Sequence, residues 1–166
     1  TVKPFTKEQA ISLINKIDFD TAIKARFVQN LEQSLYVKHR SFASNPLLLN
    51  IMLLTYDNYA EIPEKLHLFY ANAFDTLYFK HDATKGGYRR EIMSKSSVDI
   101  FKKIFSNFCF RSYFQGKTEF TKDELTDYLI KSFPINCNID TDAYISDLVD
   151  YVCLLFKDGF NYRFTH

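Results

Sequence analysis

The 166-residue chain has no tryptophan and contains only four glycines, four prolines and three cysteines. Cys109, Cys137 and Cys153 are widely spaced, form no CxxC pair and are not grouped with the four histidines. This spacing argues against a zinc site and against a disulfide framework. The simplest interpretation is that the thiols are reduced, as they are in cytoplasmic proteins.

An excess of charge of one sign is also missing. The 21 lysines and arginines nearly balance the 20 aspartates and glutamates, and the formal net charge of +1 gives no overall field to attract nucleic acid or an anionic membrane. The longest apolar run, residues 46–54, is interrupted by Asn50 and is too short to span a bilayer. Hydrophobic residues still make up 46% of the chain, so it has enough apolar surface to fold. We expect a folded cytoplasmic protein without membrane partners.

The motifs of common catalytic and phosphate-binding sites are absent from the sequence. It contains no GxxxxGK[ST] or GxGxxG loop, no HExxH helix and no GxSxG turn. Cys109 lies between Phe108 and Phe110 on a predicted helix, which favours a small core residue over a nucleophile. His39 is predicted to lie in a surface loop. The sequence therefore predicts no catalytic residue and no metal ligand within the chain.

Helix-start signals dominate the first half of the chain. Thr6 and Gln9 have the spacing of a capping box, and Asp20 is a second predicted N-cap. Asn45 followed by Pro46 is a strong start signal, because asparagine accepts from unpaired N–H groups and proline has none to lose. The residues that follow are apolar nearly all round, so we predict that this helix is the centre of a bundle.

We predict a domain boundary after the next predicted helix. Pro63 is predicted to open that helix in the same way as Pro46. Gly86 and Gly87 then lie in a basic stretch, residues 83–88, that has the composition of a linker. We predict a helical domain over residues 1–84 and a second domain over residues 85–166.

The second domain is predicted to contain three helices followed by a β-hairpin. Asp158-Gly159 suits a tight turn between residues 154–156 and residues 162–164. This order is expected of a winged-helix domain, although a terminal hairpin also occurs on other helical bundles. The fold prediction is mainly α, with a small terminal hairpin. The predicted helix N-caps are Ser96 or Ser97, Thr121 with Glu124 in a capping box, and Asp140 or Thr141.

The third helix of this domain is the element that would enter the major groove of DNA. It carries Asp142, Asp147 and Asp150, and no lysine or arginine before Lys157. Carboxylates would repel the phosphate backbone, on which DNA affinity depends. The sequence therefore argues against a nucleic-acid partner.

Three segments carry a resemblance to a known family. Residues 41–49 (SFASNPLLL) resemble the segment that follows the nucleotide-binding core in NACHT-type NTPases of the STAND class. Residues 62–66 (IPEKL) with Phe69 and Tyr70 look like the next helix of that segment in bacterial members. Residues 158–166 (DGFNYRFTH) are similar to the end of their winged-helix domain.

The resemblance implies a cytoplasmic signalling ATPase whose Walker motifs lie upstream, with ATP or ADP and Mg²⁺ bound by the full-length protein and no cofactor bound by this segment alone. It implies that Pro46 contacts adenine as the proline of a Gly-x-Pro motif, whose glycine position is Ser44 here. It also implies that His166 reaches the β-phosphate of ADP. The implied partners are the nucleotide-binding and sensor domains of the same chain, with oligomerisation on activation and a role in bacterial defence.

Two other functions remain open at the level of sequence. The many Phe and Tyr residues also suit a stand-alone helical module that binds a partner protein. A DNA-binding winged helix is the third alternative. A phosphate-loop motif upstream of Thr1 would favour the ATPase.

Overall fold

The computed structural model describes residues 3–59, 62–63, 65–80 and 92–165. These residues are mainly helical, with a small three-stranded antiparallel sheet near the C-terminus, which confirms the coarse fold prediction. The chain forms two compact units, Thr1–Phe79 and Lys80–His166. The predicted domain boundary, between residues 84 and 85, lies outside the described residues.

The first half of the chain is a series of helices whose starts follow the predicted caps. Thr6 and Gln9 form the predicted capping box, in which the Gln9 N–H donates to Thr6 Oγ1 over 3.3 Å and the Thr6 N–H donates to Gln9 Oε1 over 2.9 Å. Asp20 Oδ1 accepts from the N–H of Ile23 over 2.9 Å, as predicted. The elements are α1 (Lys7–Lys16), α2 (Thr21–Asn30), a π turn (Leu31–Leu35), α3 (Tyr36–Lys38), α4 (Arg40–Ala43), α5 (Pro46–Tyr59) and α6 (Leu66–Lys80).

Helix α5 supplies much of the core of the first unit, as its apolar sequence predicts. Leu49 and Met52 are fully buried, and Leu47 in the first turn is 45% exposed. Apolar side chains of the neighbouring elements close the core around it, each stabilised by its removal from water. The core residues are Ala10, Ile14, Phe27, Leu31, Leu35, Phe42, Ala43, Leu49, Met52, Leu53, Tyr56, Ile62 and Phe69.

The predicted start of α6 at Pro63 is wrong by three residues. The helix begins at Leu66, and the carbonyl of Lys65 accepts from the N–H of Leu68 over 3.0 Å and from that of Phe69 over 3.1 Å. Pro63 is preceded by Ile62, which has no side-chain acceptor for unpaired N–H groups and is buried in the core. Proline without a capping residue before it is a weaker start signal than Asn45-Pro46.

The helices of the second unit also begin at predicted caps. Ser97 Oγ accepts from the N–H of Ile100 over 3.4 Å, and Thr121 and Glu124 form the predicted capping box. Asp140 caps the next helix through bonds from two backbone N–H groups. The elements are α7 (Val98–Phe114), β1 (Glu119–Thr121), α8 (Lys122–Ile130), α9 (Thr141–Ser146), a π turn (Asp147–Tyr151), β2 (Leu155–Asp158) and β3 (Asn161–Phe164).

The predicted hairpin is present and is part of a larger sheet. Strands β2 and β3 are antiparallel neighbours, with Asp158 opposite Asn161 and a φ of +62° at Gly159. Glycine adopts that conformation without the steric cost that other residues have. Strand β1 pairs with the other edge of β3, which gives the order β1-β3-β2. The sequence prediction missed β1, because three residues are too few to show an alternating pattern.

Aromatic rings join the helices of the second unit to its sheet. The ring centroid of Phe108 on α7 lies 5.3 Å from that of Phe120 on β1 and 5.3 Å from that of Phe164 on β3. Tyr144 is fully buried, and its hydroxyl donates to the carbonyl of Phe101 over 2.8 Å. Further buried residues lie in α9, in the π turn and in the chain that leads into β2: Ile145, Leu148, Val152 and Leu155.

Candidate nucleotide-contact site

The predicted adenine contact, Pro46, is the first residue of α5 and is half-buried. Asn45 caps this helix, because its Oδ1 accepts from the N–H of Leu47 over 3.0 Å and from that of Leu48 over 3.2 Å. The bonds satisfy two groups that would otherwise lack a partner at the helix start. The proline ring is thus held at a fixed backbone position and part of it faces solvent.

The turn before Pro46 is held from two sides by backbone hydrogen bonds. The N–H of Asn45 donates to the carbonyl of Phe42 over 3.0 Å, and the N–H of Phe5 donates to the carbonyl of Ser44 over 2.7 Å. Ser44 occupies the glycine position of the Gly-x-Pro motif and has a φ of −88°. Any residue adopts that conformation, so the backbone here does not require glycine.

His39 lies seven residues before Pro46 and is buried, so the prediction of a surface loop is wrong. Its side chain is 4% exposed, and neither ring nitrogen has a hydrogen-bond partner among the described residues. The ring packs against Phe69 with a centroid distance of 5.4 Å. Removal from water lowers the pKa of His39, and the charge of Lys38 lowers it further.

The sequence contained a signal for this burial that the prediction did not use. Leu35 lies four residues before His39 and Phe42 lies three residues after it, and both are buried. Such spacing places all three side chains on one face of a helix. His39 is therefore part of an apolar stripe that begins at Leu35 in the π turn and ends at Phe42 in α4.

His166, the predicted phosphate contact, lies outside the described residues. The residue before it, Thr165, donates through its N–H to the carbonyl of Leu154 over 3.0 Å and through Oγ1 to the carbonyl of Cys153 over 2.8 Å. The structure therefore describes the surroundings of Pro46 and not those of His166.

Asp147 is one of the three aspartates on the helical segment that would approach DNA, and it is buried. It is 1% exposed, and its two oxygens accept from the N–H groups of Met93 over 2.8 Å and Ser94 over 2.9 Å. Of the other acidic residues on this segment, Asp142 and Asp150 are exposed. Asp147 thus ties the segment before α7 to the last helical segment of the second unit.

Cys109 is a poor nucleophile in the structure. Burial raises the pKa of its thiol to about 12, so almost all of it is protonated at neutral pH. In the part of the chain that the structure describes, no three His, Cys, Asp or Glu side chains come together as a metal site would require. Within the same residues no helix has the length and apolar character needed to cross a membrane.

Comparisons with protein-family models, with curated proteins and with solved structures found no match to the chain.

Proposed function

We propose that the chain is a non-catalytic regulatory segment of a signalling NACHT-type STAND ATPase. In this proposal it closes over a nucleotide bound by another domain and couples the ADP or ATP state to a rearrangement of domains. The observation that carries the proposal is the half-exposed Pro46, held by Asn45 at the start of the buried helix α5. Proline suits an adenine contact because its ring is apolar and rigid and its nitrogen carries no hydrogen to satisfy.

The proposal also makes the second unit a winged-helix domain. Its order of helix, strand, two helical segments and hairpin supports this assignment, as does the pairing of β1 with the hairpin. The phosphate contact of the proposal is His166, which directly follows Thr165 at the end of the sheet. An imidazole N–H donates well to a phosphate oxygen, and more strongly when the ring is protonated.

The proposed mechanism is a shift of population between a closed and an open state. ADP stabilises the closed state if Pro46 and His166 contact it only there. Exchange for ATP in the nucleotide-binding domain would change the position of the β-phosphate relative to His166 and would remove part of that preference. The Mg²⁺ ion and the phosphate loop belong to the nucleotide-binding domain in this scheme.

The DNA-binding alternative is less well supported. Asp142 and Asp150 are exposed on the helical segment that would approach DNA, and each would repel the phosphate backbone. Lys122 forms an ion pair with Asp142 over 3.1 Å, so this lysine is partly neutralised. Salt-independent, negligible binding of duplex DNA is the expected result.

The test uses the full-length protein and measures the release of bound ADP. We expect His166→Ala to weaken ADP retention roughly 10- to 100-fold, which corresponds to the loss of one charged hydrogen bond of about 1.5–3 kcal/mol. Pro46→Ala should weaken retention by a smaller factor, because it removes apolar contact only. His67→Ala and Pro134→Ala are matched controls, since His67 is exposed and Pro134 lies in a loop of the second unit.

Two results would overturn the proposal. The first is an upstream sequence without a phosphate-loop motif. The second is ADP release that is the same in the unsubstituted protein and in the His166→Ala variant.

A further inference from the structure

One face of α7 exposes three aromatic rings. Phe110, Tyr113 and Phe114 are 70%, 87% and 82% exposed, and the rings of Phe110 and Phe114 stack with a centroid distance of 6.3 Å and an interplanar angle of 23°. The opposite side of the same helix is in the core, through the buried residues Phe101, Ile104, Phe108 and Ser112. The helix is therefore apolar on the side that faces solvent as well as on the side that is buried.

Two cations lie on or next to this exposed side. Lys103 lies about two helical turns before Phe110 on the same side of α7, and Arg111 lies at the border of that side, three positions before Phe114. Both cations are exposed, and neither forms an ion pair with any residue for which the structure gives a position. Helix α7 carries Lys102, Lys103 and Arg111 against one carboxylate, Asp99, a formal charge of +2 (three minus one), although the whole chain has a net charge of only +1. The charge on this face is thus local.

We infer that this surface, called here the α7 face and formed by Lys103, Phe110, Arg111, Tyr113 and Phe114, is a docking site for an acidic amphipathic segment of another protein. Apolar side chains of the partner would cover the rings, since aromatic residues bury much area and dominate interface energies. Its carboxylates would pair with Lys103 and Arg111, whose charges have no other described partner. The inference does not depend on the proposed nucleotide contacts.

Charge complementarity selects this occupant over two others. A second copy of the chain would bring the same cations to the interface, and like charges oppose self-association. Single-stranded nucleic acid also stacks on exposed rings, but its affinity depends on neutralising many phosphates. The α7 face offers Lys103 and Arg111, because Lys117 at the end of the helix is already paired with Glu124. Two cations beside three aromatic rings fit a protein segment with a few carboxylates better.

The experiment is a selection of phage-displayed random peptides on the 166-residue chain. We expect the enriched peptides to combine Asp or Glu with Leu, Ile or Phe. The affinity of one enriched peptide is then measured by fluorescence anisotropy at low and at high salt. Phe110→Ala with Phe114→Ala should weaken binding at least tenfold, and Arg111→Glu should weaken it and remove most of its salt dependence.

Matched controls separate the α7 face from a general effect of exposed rings or charges. Phe160→Ala removes a ring that is 94% exposed on the hairpin, and Arg26→Glu reverses an exposed charge on α2. Both variants should bind the peptide as the original chain does. Circular dichroism and thermal unfolding show whether each variant is folded, and Phe110→Ser with Phe114→Ser is the second variant if the alanine pair is not.

Three outcomes would overturn the inference. One is a selection that enriches nothing beyond what the Phe110→Ala, Phe114→Ala protein enriches. Another is enrichment of basic or neutral peptides, or binding that the control variants weaken equally. The third is tighter binding of oligouridylate than of any selected peptide, which would assign the α7 face to single-stranded nucleic acid.

Discussion

The buried carboxylate of Asp147 accepts a hydrogen bond from the backbone N–H of Ser94 over 2.9 Å, across 53 positions of sequence. Its other oxygen accepts from the N–H of Met93 over 2.8 Å. These bonds hold the segment before α7 against the last helical segment. A buried carboxylate costs free energy unless its oxygens accept hydrogen bonds.

The first prediction follows from that pairing. Asp147→Ala should lower the free energy of unfolding by about 2–4 kcal/mol, because it leaves two backbone donors without an acceptor in the interior. Urea unfolding followed by circular dichroism measures the change. Asp150→Ala is the control, since Asp150 is exposed on the same segment. Equal stability of the two variants would show that the Asp147 bonds contribute nothing.

The second prediction concerns pH and His39. Burial lowers the pKa of His39 below its ordinary value of 6.5, so the unfolded chain binds a proton at a pH where the folded chain does not. The part of the free energy of unfolding that depends on His39 is therefore highest above about pH 6.5. It decreases as the pH falls from 6.5 through the pKa of His39 in the folded chain, and below that pKa it does not change further.

Removal of the imidazole should remove that pH dependence. The His39→Phe variant should be at least as stable as the original chain, because unpaired buried polar groups each cost about 1–3 kcal/mol. Urea unfolding between pH 8 and pH 5 tests both points. His67→Gln, at an exposed histidine, should keep the original slope, and an unchanged slope in His39→Phe would assign the pH dependence to other groups.

The third prediction tests the cap that positions Pro46. Asn45→Ala should lower the free energy of unfolding by about 1 kcal/mol, because the N–H groups of Leu47 and Leu48 lose their acceptor. Asn45→Asp keeps an acceptor at the same place and should be close to neutral. Chemical denaturation of the three proteins decides the matter. If Asp destabilises as much as Ala does, the side-chain bonds are not the reason for Asn45.

The fourth prediction concerns the reactivity of Cys109. With a pKa of about 12, its thiolate fraction at neutral pH is roughly a thousandfold below that of a thiol at the ordinary value of 9.0. We expect alkylation by iodoacetamide to be slow in the folded chain and fast in urea. Mass spectrometry of the peptide containing Cys109 measures both rates, and rapid alkylation in the folded protein would contradict the burial.

The helix starts were predicted well because their causes are local. The bonds of Thr6 with Gln9, and of Thr121 with Glu124, each join residues three positions apart. Such a bond depends on residue type and spacing alone. Pro63 shows the limit of this reasoning, because the residue before it, Ile62, is buried in the core and has no side-chain acceptor, and the helix begins three residues later.

The sequence by itself determined the helical class, the capped helix starts, the turn at Gly159 and the place of Pro46 at the start of a buried helix. Tertiary structure alone decided that residues 119–121 form a strand and that Asp147 accepts from two distant backbone N–H groups. The physical reason is the distance along the chain. Asn161 donates to Glu119 over 2.6 Å across 42 positions. A short stretch of sequence does not indicate which distant segment will pair with a strand or exclude water from a side chain.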